Sequence, residues 1–456
     1  MKKRIAIISA NIYHIPYPVY PLGVSYLASY LSEHLPDDYE VKLFDFNLGD
    51  YESFALFLKE NNFDFVGISL RNFDDSTNHY EENIFIAHYK KVMEIARANT
   101  DAPIVLGGSG FGVFPELIFN ELKPDYGIKG EGESSLKEMI VALTQGHDPR
   151  AIEGVAYRDA DGSFHINGHT KYISAPILHV ESEWAEYYWK NSGMLNIQTK
   201  RGCPYKCIFC SYPLIDGRKV RMLDAEMVVN NIKEIYYSKG ISYLFFTDSI
   251  FNIHKEYNEE LARRIIESKV QIQWGAYFSP SNLSIKELEL YKQSGLTHIE
   301  FGTDSLSDRQ LENYKKNFRF SDIKEQSQNC GNLGIFYAHF LILGGYGETN
   351  ETLGETFEHS KELGLTIYFP YLGMRVYPET ELCDIAIREG LIRSANDLIN
   401  PVYYISKEID KDAIKAQAKA TGQPWVFPDD EPPPIMERIR GRGKKGPLWE
   451  YLRFNY

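Results

Sequence analysis

The sequence has little cysteine, no long apolar run and no surplus of positive charge, and each shortage narrows what the chain can be. Five cysteines in 456 residues are too few for a disulfide-built secreted fold, and the expected compartment is a reducing cytoplasm. No segment approaches the roughly 20 apolar residues that carry a helix across a bilayer. The opening run Ile5-Ala6-Ile7-Ile8 is too short for a signal peptide and reads as a buried strand. Lys and Arg number 49 against 63 Asp and Glu, a formal net charge of −14, which disfavours a nucleic acid held by a general basic field. There is no low-complexity tract; 43% apolar residues over this length indicate a globular chain of two or three domains.

What is present is concentrated. Cys203, Cys207 and Cys210 fall within eight residues at C-x3-C-x2-C spacing, on a loop that opens Arg201-Gly202. So short a loop can bend three thiolates around one metal centre, but a structural zinc or an electron-transfer cluster usually takes four protein ligands. Three readings are open on these residues alone: a cluster with one open iron, a zinc loop with a distant fourth ligand, or buried thiols. Cys330 and Cys383 stand apart and are expected in the core.

Apolar runs predict strands at 4–10, 41–45, 65–70, 104–106 and 126–130, with helices at 22–31, 54–58 and 80–98 and a capping box from Ser135 to Glu138. This alternation is that of a doubly wound, Rossmann-like α/β domain over 1–148. Its ligands are expected beyond the carboxyl ends of the strands, at loops 11–21, 71–79, 107–114 and 130–135. Gly107-Gly108-Ser109-Gly110 either lets the backbone approach a ligand closely or makes a tight turn without one.

A hairpin and linker over 149–190 lead to a second run of βα units. Strands are expected at 195–198, 243–247, 272–278, 297–301, 335–343 and 367–372, separated by helices at 224–238, 257–268, 285–294, 308–314, 321–332 and 350–363. Six units suit a partial (β/α)6 barrel over 191–390, with functional residues at the carboxyl ends of the strands. Tyr277, Phe278, His339 and Tyr377 are candidate pocket residues. A C-terminal cap over 391–456 carries a helix near 407–420, a Pro-rich turn at 432–434 and a basic run from Arg438 to Lys445, read as a solvated tail. Two readings of the aromatic end, Trp449, Tyr451, Phe454 and Tyr456, are open: folded back over the site, or not.

The cysteine loop, with Phe209 before its third cysteine, resembles the cluster loop of the radical S-adenosylmethionine (SAM) superfamily. The resemblance implies that Cys203, Cys207 and Cys210 hold a [4Fe-4S] cluster, that the amino and carboxylate groups of SAM chelate the remaining iron, and that reductive cleavage yields a 5′-deoxyadenosyl radical. Further segments match in order. Phe246 to Asn252 resembles the family's F-x-D-x-x-F-x, and Glu300 with Gly302-Thr303-Asp304-Ser305 its fourth-strand segment. Leu343 to Thr349 resembles G-x-P-G-E-T, with Tyr346 replacing proline. Phe209, Asp248, Glu300, Gly302, Asp304, Ser305, Gly344 and Glu348 are thereby implied as SAM-site residues.

The strand that ends in Gly107-Gly108-Ser109-Gly110 and the later Gly130-Glu131-Gly132-Glu133 resemble the cobalamin-binding domain that precedes the barrel in one large subfamily. That resemblance covers about residues 4–145 and implies a corrinoid against Arg71, Asn72, Gly107, Gly108, Ser109, Gly110, Gly130, Glu131 and Glu133. The D-x-H-x-x-G motif of better-known cobalamin domains is absent, since His14 has Asn11 where the motif has aspartate. Leu70-Arg71-Asn72-Phe73-Asp74 resembles the R-N-x-D segment of the tryptophan C-methylase branch, where an arginine lies under cobalt without coordinating it. A guanidinium has no lone pair to give; the alternative is that Arg71 pairs with Asp74 or Asp75.

The resemblance as a whole implies a cobalamin-dependent radical SAM methyltransferase of the class B type, acting on an unactivated carbon, or phosphorus, of a small metabolite or peptide. One SAM methylates cob(I)alamin, a second gives the radical that takes a substrate hydrogen, and the substrate radical accepts the methyl group from methylcobalamin. In the tryptophan branch a polar route replaces hydrogen abstraction. The implied partners are the substrate and an electron donor such as flavodoxin or ferredoxin. The alternatives are a ring-forming or rearranging enzyme with the same two domains and, fitting poorly with an open iron, a nonenzymatic iron–sulfur or corrinoid carrier.

Overall fold

A computed structural model describes residues 2–75, 85–169, 171–410, 412–428 and 434–454. Residues 76–79 of the expected loop 71–79, the start of helix 80–98 as far as residue 84, Pro432 and Pro433 of the Pro-rich turn, and Tyr456 lie outside them. The described residues form two compact units, one from 2–75, 85–187 and 211–217, the other from 188–210 and 218–454.

The first unit is built on a seven-stranded sheet. Strands β1 (Lys3–Ser9), β2 (Tyr39–Asp45), β3 (Phe65–Ser69), β4 (Ile104–Gly107) and β5 (Tyr126–Ile128) run parallel in the order β2-β1-β3-β4-β5, and the antiparallel hairpin β6 (Val155–Arg158) and β7 (Phe164–Ile166) extends it. Ile5, Ala6, Ile7 and Ile8 of β1 are all fully buried, as a parallel strand covered on both faces must be. Helices α1 (Leu22–His34), α2 (Tyr51–Asn61), α3 (Ile86–Asn99), α4 (Gly108–Val113), α5 (Pro115–Leu122) and α6 (Glu133–Thr144) complete the alternation. The strand order reverses between β1 and β3, so the crevice for a ligand opens beyond Ser9 and Ser69. The division between units falls inside α7 (Ser182–Asn191), and the short helix α8 (Tyr212–Ile215) returns to the first unit to pack on α4.

Three local expectations change. The glycine run at 108–110 is helical and opens α4, and Pro115, at the first position of α5, starts a second helix behind it. The capping box from Ser135 does not form, because α6 begins two residues earlier after Gly132; Ser134 Oγ reaches Glu138 Oε1 at 3.3 Å instead. Residues 182–190, read as linker, are helical, and the helix runs on to Asn191.

The second unit is a six-stranded, all-parallel sheet in sequential order. Its strands are β8 (Leu195–Ile197), β11 (Tyr243–Phe246), β12 (Gln273–Phe278), β13 (Leu296–Asp304), β14 (Phe336–Leu343) and β15 (Ile367–Leu372), while β9 (Lys200–Arg201) and β10 (Arg221–Met222) form a small ribbon beside the cysteine loop. Helices α9 (Ala225–Lys239), α10 (Lys255–Ser268), α11 (Ile285–Gln293), α12 (Asp308–Asn313), α13 (Phe320–Leu333) and α14 (Asn350–Ser360) make the outer layer. This is the partial (β/α)6 barrel. Leu341, Leu343 and Tyr368 pack outward against Leu306, Ile323 and Leu353. Alternation turns His298, Glu300, Phe336, Ala338, Ile367 and Phe369 to the inner face.

A closed eight-stranded barrel fills its interior with its own side chains, but six strands leave room. Here Trp449 and Leu452 enter, packing on Ala338 and Ile367 with Phe336, Phe340 and Phe369 around them. On the opposite face Trp425 stacks on Tyr368 with ring centroids 4.5 Å apart. The basic run is thus not wholly a solvated tail. Arg438, Arg442 and Lys444 are exposed, yet the run opens in a helix at Pro434–Gly441, and Lys445 Nζ sits 4.4 Å above the Trp189 ring and bonds Trp189 O at 3.2 Å. Cys330 and Cys383 are buried as expected.

Candidate functional site

The cysteine loop is anchored at its start by a buried charge pair. The Asp248 carboxylate, at the carboxyl end of β11, accepts from Thr199 N at 2.7 Å and Lys200 N at 3.0 Å, and from the Thr199 hydroxyl. Lys200 Nζ lies 2.9 Å from Asp248 Oδ2, with the two side chains 2% and 1% exposed. The ammonium also bonds Thr199 Oγ1 and Asn258 Oδ1 at 2.8 Å each and lies 4.4 Å from the Phe251 ring centroid. Burial lowers the Lys200 pKa, against the support of Asp248. Asp248 is therefore committed to the strand that enters the loop. Ser249 Oγ adds a bond to Gly202 O at 3.1 Å.

Beyond that anchor Cys203 is buried, Cys207 and Cys210 are half-buried, and none of them is in a disulfide. Their surroundings are shared. Burial pushes the Cys207 thiol up, Lys316 pulls it down, and Asp304 and Cys203 push it further up. Burial acts to lower the Lys316 ammonium, and Asp304, Cys207 and Cys210 together raise it. Two thiols, those of Cys207 and Cys210, beside one buried cation suit thiolate ligands. Among the described residues no group of three or more His, Cys, Asp or Glu converges as the ligands of a single ion do; a cubane, which takes each thiolate on a different iron, does not ask for that convergence. Phe209 meets the Tyr314 ring edge to face at 6.1 Å.

The carboxyl ends of β13 and β14 carry the other barrel candidates. A Cβ built on Gly302 meets nothing within 4 Å, so open space lies beside that strand. Asp304 follows a register break, takes left-handed backbone (φ 63°) and pairs with Lys316 Nζ at 2.5 Å. Ser305 is fully buried, and its hydroxyl bonds Thr356 Oγ1 at 3.2 Å and accepts from Ser307 N at 3.2 Å, which turns it away from the opening. Glu348 closes the glycine turn by accepting from Gly344 N, and burial pushes its carboxyl up to about 8 against the Gly344 and Gly345 amides.

Glu300 lies on the inner face, where Trp449 Nε1 donates to its Oε1 at 3.0 Å; burial pushes its carboxyl up to about 7, with the indole pulling back. Trp449 thus folds back onto the inner face of the barrel, with Glu300 as its partner. Two pocket candidates point elsewhere. Phe278 is buried against Phe251 and Tyr291, and His339 is fully buried between Thr303 Oγ1 (2.8 Å) and Ser327 Oγ (3.2 Å), its pKa pushed down to about 3 by burial. Tyr277 remains 37% exposed beside Phe245. Tyr377 lies under the Arg375 guanidinium, 5.1 Å from its ring centroid.

In the first unit the segment after β3 is pinned from both sides. Ser109 Oγ donates to Arg71 O at 2.6 Å, the buried Tyr89 hydroxyl donates to Asn72 O, and Gly110 N reaches Leu70 O at 2.8 Å. Gly108 shows why glycine stands here: its φ is +89°, and a Cβ would lie 2.6 Å from Leu70 O. Gly108 and Gly110 thus serve the close approach of α4 to Leu70–Asn72, and Gly107 O accepts from Leu70 N at 2.9 Å. Gly130 (φ +94°) precedes buried Glu131 and Glu133 at the start of α6. His14 curls back, its Nδ1 2.9 Å from Ile12 O.

Lys200 and Lys316 escaped the sequence reading because nothing local marks a lysine whose partners lie 48 and 12 residues away. The available signals were Asp248 and Asp304 themselves, carboxylates in the family segments that require a counter-charge once buried.

A parallel sheet with a ligand crevice at its switch point, and a six-stranded barrel with three thiols at the head of its first βα loop, define a two-domain radical enzyme. Comparison with known proteins agrees. The B12 binding domain family matches residues 8–140 and the Radical SAM superfamily residues 197–359. Residues 8–140 thus belong with the B12 binding domains and residues 197–359 with the radical SAM superfamily, a pairing whose cofactors are cobalamin, a [4Fe-4S] cluster and SAM. It is 26% identical over 426 residues to an uncharacterized methyltransferase of Pyrococcus horikoshii, covering 90% of this chain and 89% of the relative. It is 25% identical over 445 residues to the tryptophan 2-C-methyltransferase of Streptomyces laurentii, covering 83% and 73%. Its fold matches the radical SAM methyltransferase TsrM of Kitasatospora setae, solved with cobalamin and a [4Fe-4S] cluster, with TM-score 0.87 at 20% identity over 99% of this chain and 97% of that one.

Proposed function

We propose that this enzyme transfers a methyl group from SAM to an unactivated carbon, or phosphorus, of a small metabolite or peptide, with L-tryptophan the first substrate to test because a relative covering most of the chain acts on it. Cys203, Cys207 and Cys210 hold the cluster. Gly302, with open space beside it, and the turn from Gly344 to Glu348 face SAM. Arg71 and Asn72, fixed through their carbonyls, face the corrinoid. When bound, the cofactors supply the methyl carrier and the radical chemistry. The chain's own part is to hold three thiols on a loop locked by Asp248, keep a rigid floor at Leu70–Asn72, and close the barrel's inner face with Trp449.

The observation that carries this reading is the pairing, in one chain, of the Asp248-anchored three-thiol loop with a sheet whose strand at the switch point, β3, runs on into Arg71 and Asn72. The proposed electron donor is flavodoxin or ferredoxin. The net charge of −14 supports a partner other than nucleic acid. Among the described residues no helix is long and apolar enough to cross a membrane.

The test is anaerobic reconstitution with iron, sulfide and hydroxocobalamin, followed by metal assay and product analysis with SAM and a reductant. Retained cobalt and iron, and S-adenosylhomocysteine formed only when cobalamin is supplied, are expected. Iron without cobalt would sink the methylase reading and bring the ring-forming alternative forward.

A further inference from the structure

The segment Tyr314–Asn317 runs along the cysteine loop. Ile208 N approaches Tyr314 O at 3.4 Å, and the Tyr205 hydroxyl lies near the Asn317 side chain. Between those two contacts Lys315 takes left-handed backbone (φ 58°) and sends its ammonium to exposed Glu381, while the next residue, Lys316, turns inward. Lys316 Nζ and Asp304 Oδ2 are 2.5 Å apart, with the two side chains only 10% and 12% exposed. Asp304 reaches this position through a left-handed backbone at a break in the β13–β14 register. A non-glycine residue keeps such a conformation where its surroundings over-determine it, and such residues gather at functional sites. The ammonium also interacts electrostatically with Cys207 and Cys210, whose loop the Ile208–Tyr314 contact holds against this segment. It neither anchors the loop, which Asp248 does, nor fills the core.

We propose that Lys316 and Asp304 are opposed positioning charges that set the reduction potential of the cluster held by Cys203, Cys207 and Cys210, the ammonium raising it and the carboxylate holding it back. The inference rests on the cluster assignment made above. Reduction takes one electron from an external one-electron reductant and makes or breaks no bond. It adds a negative charge to a centre that three thiolates already make anionic. A buried cation beside those thiolates favours the more negative state, and a buried carboxylate disfavours it, with little water between to screen either.

The experiment is a redox titration of the reconstituted full chain with dithionite, followed by electron paramagnetic resonance, without substrate or cobalamin and after iron and sulfide assays show the cluster in place. K316M leaves the carboxylate facing the thiolates and is expected to lower the reduction equilibrium constant about tenfold, about 59 mV more negative for a one-electron couple. D304N leaves the ammonium unopposed and is expected to move the potential the other way by a similar factor. K316R keeps the charge and is expected to stay near wild type. Shifts of the same sign in K316M and D304N, or none in either with iron content intact, overturn the proposal. Should K316M fail to retain its cluster, D304N against K316R decides: an unshifted D304N overturns the proposal. A wild-type chain that takes up no iron overturns the cluster assignment instead, a different failure.

Discussion

Replacing Asp248 by alanine removes the carboxylate that holds Thr199 N, Lys200 N, the Thr199 hydroxyl and Lys200 Nζ. What remains is an ammonium 2% exposed, kept by Thr199 Oγ1, Asn258 Oδ1 and the Phe251 face, and two amides without their acceptor. Breaking a buried pair from one side costs about 3–5 kcal/mol, and the orphaned amides do not add independently because they share that one acceptor. About 4 kcal/mol for this unit corresponds to a fall in Tm of about 8–16 °C. The double variant K200M/D248N keeps an oxygen for both amides and removes the stranded charge, so it is expected to recover most of that loss. Differential scanning calorimetry of the apoprotein, with iron retention after reconstitution, reads both effects. A D248A protein that unfolds within about 2 °C of wild type, or a double variant no more stable than D248A, would refute the anchoring argument; about 2 °C is the shift expected of less than 1 kcal/mol.

Glu300 makes stability depend on pH. Its carboxyl stands near 7 in the fold against a usual 4.5, so the folded state binds the extra proton between those values, and stability present below pH 4.5 is lost as pH rises through 7. The interval corresponds to about 3 kcal/mol. E300Q should flatten the fall in Tm between pH 5 and 8, while W449F, which removes the indole N–H, should move the transition to higher pH; an unchanged profile in E300Q contradicts the assignment. G108A forces a Cβ to 2.6 Å from Leu70 O at φ +89°, with an expected cost of about 2 kcal/mol or more and weaker cobalamin uptake in an absorbance titration. Wild-type affinity in G108A would show that the Leu70–Asn72 floor does not matter to the corrinoid. Single alanine replacements of Cys203, Cys207 and Cys210 should each abolish stable iron incorporation, and retention of wild-type iron by any one would remove it from the ligand set.

Much of the architecture is local and was readable. The strands Tyr243–Phe246 and Phe336–Leu343 are near-continuous apolar runs because both faces are covered, and the cysteine spacing falls inside one loop. What escaped depends on distance along the chain or on packing. A glycine run that reads as a turn becomes the first turn of α4 because Gly108 and Gly110 abut Leu70 O, a neighbour no local pattern names. Ser305 and His339 sit at inviting places in sequence and are turned into the outer layer by strand alternation combined with the bulge before Asp304. The Trp449–Glu300 bond spans 149 residues, and only the fold brings the two together.

The ends of the barrel unit are fastened to each other. Gly446 N bonds Gly193 O at 2.9 Å, Lys445 lies over Trp189, and the hydrogen bond between those two spans 256 residues. Contacts of that span are slow to form, because the chain must be ordered across the whole interval first. During synthesis the six strands can align while Phe336, Phe340 and Phe369 still face water, awaiting Trp449 and Leu452. The barrel's period of greatest vulnerability to aggregation is therefore the interval between completion of β15 and the docking of residues 445–452, and a destabilised variant of that short segment should reduce soluble yield more than its equilibrium stability alone accounts for.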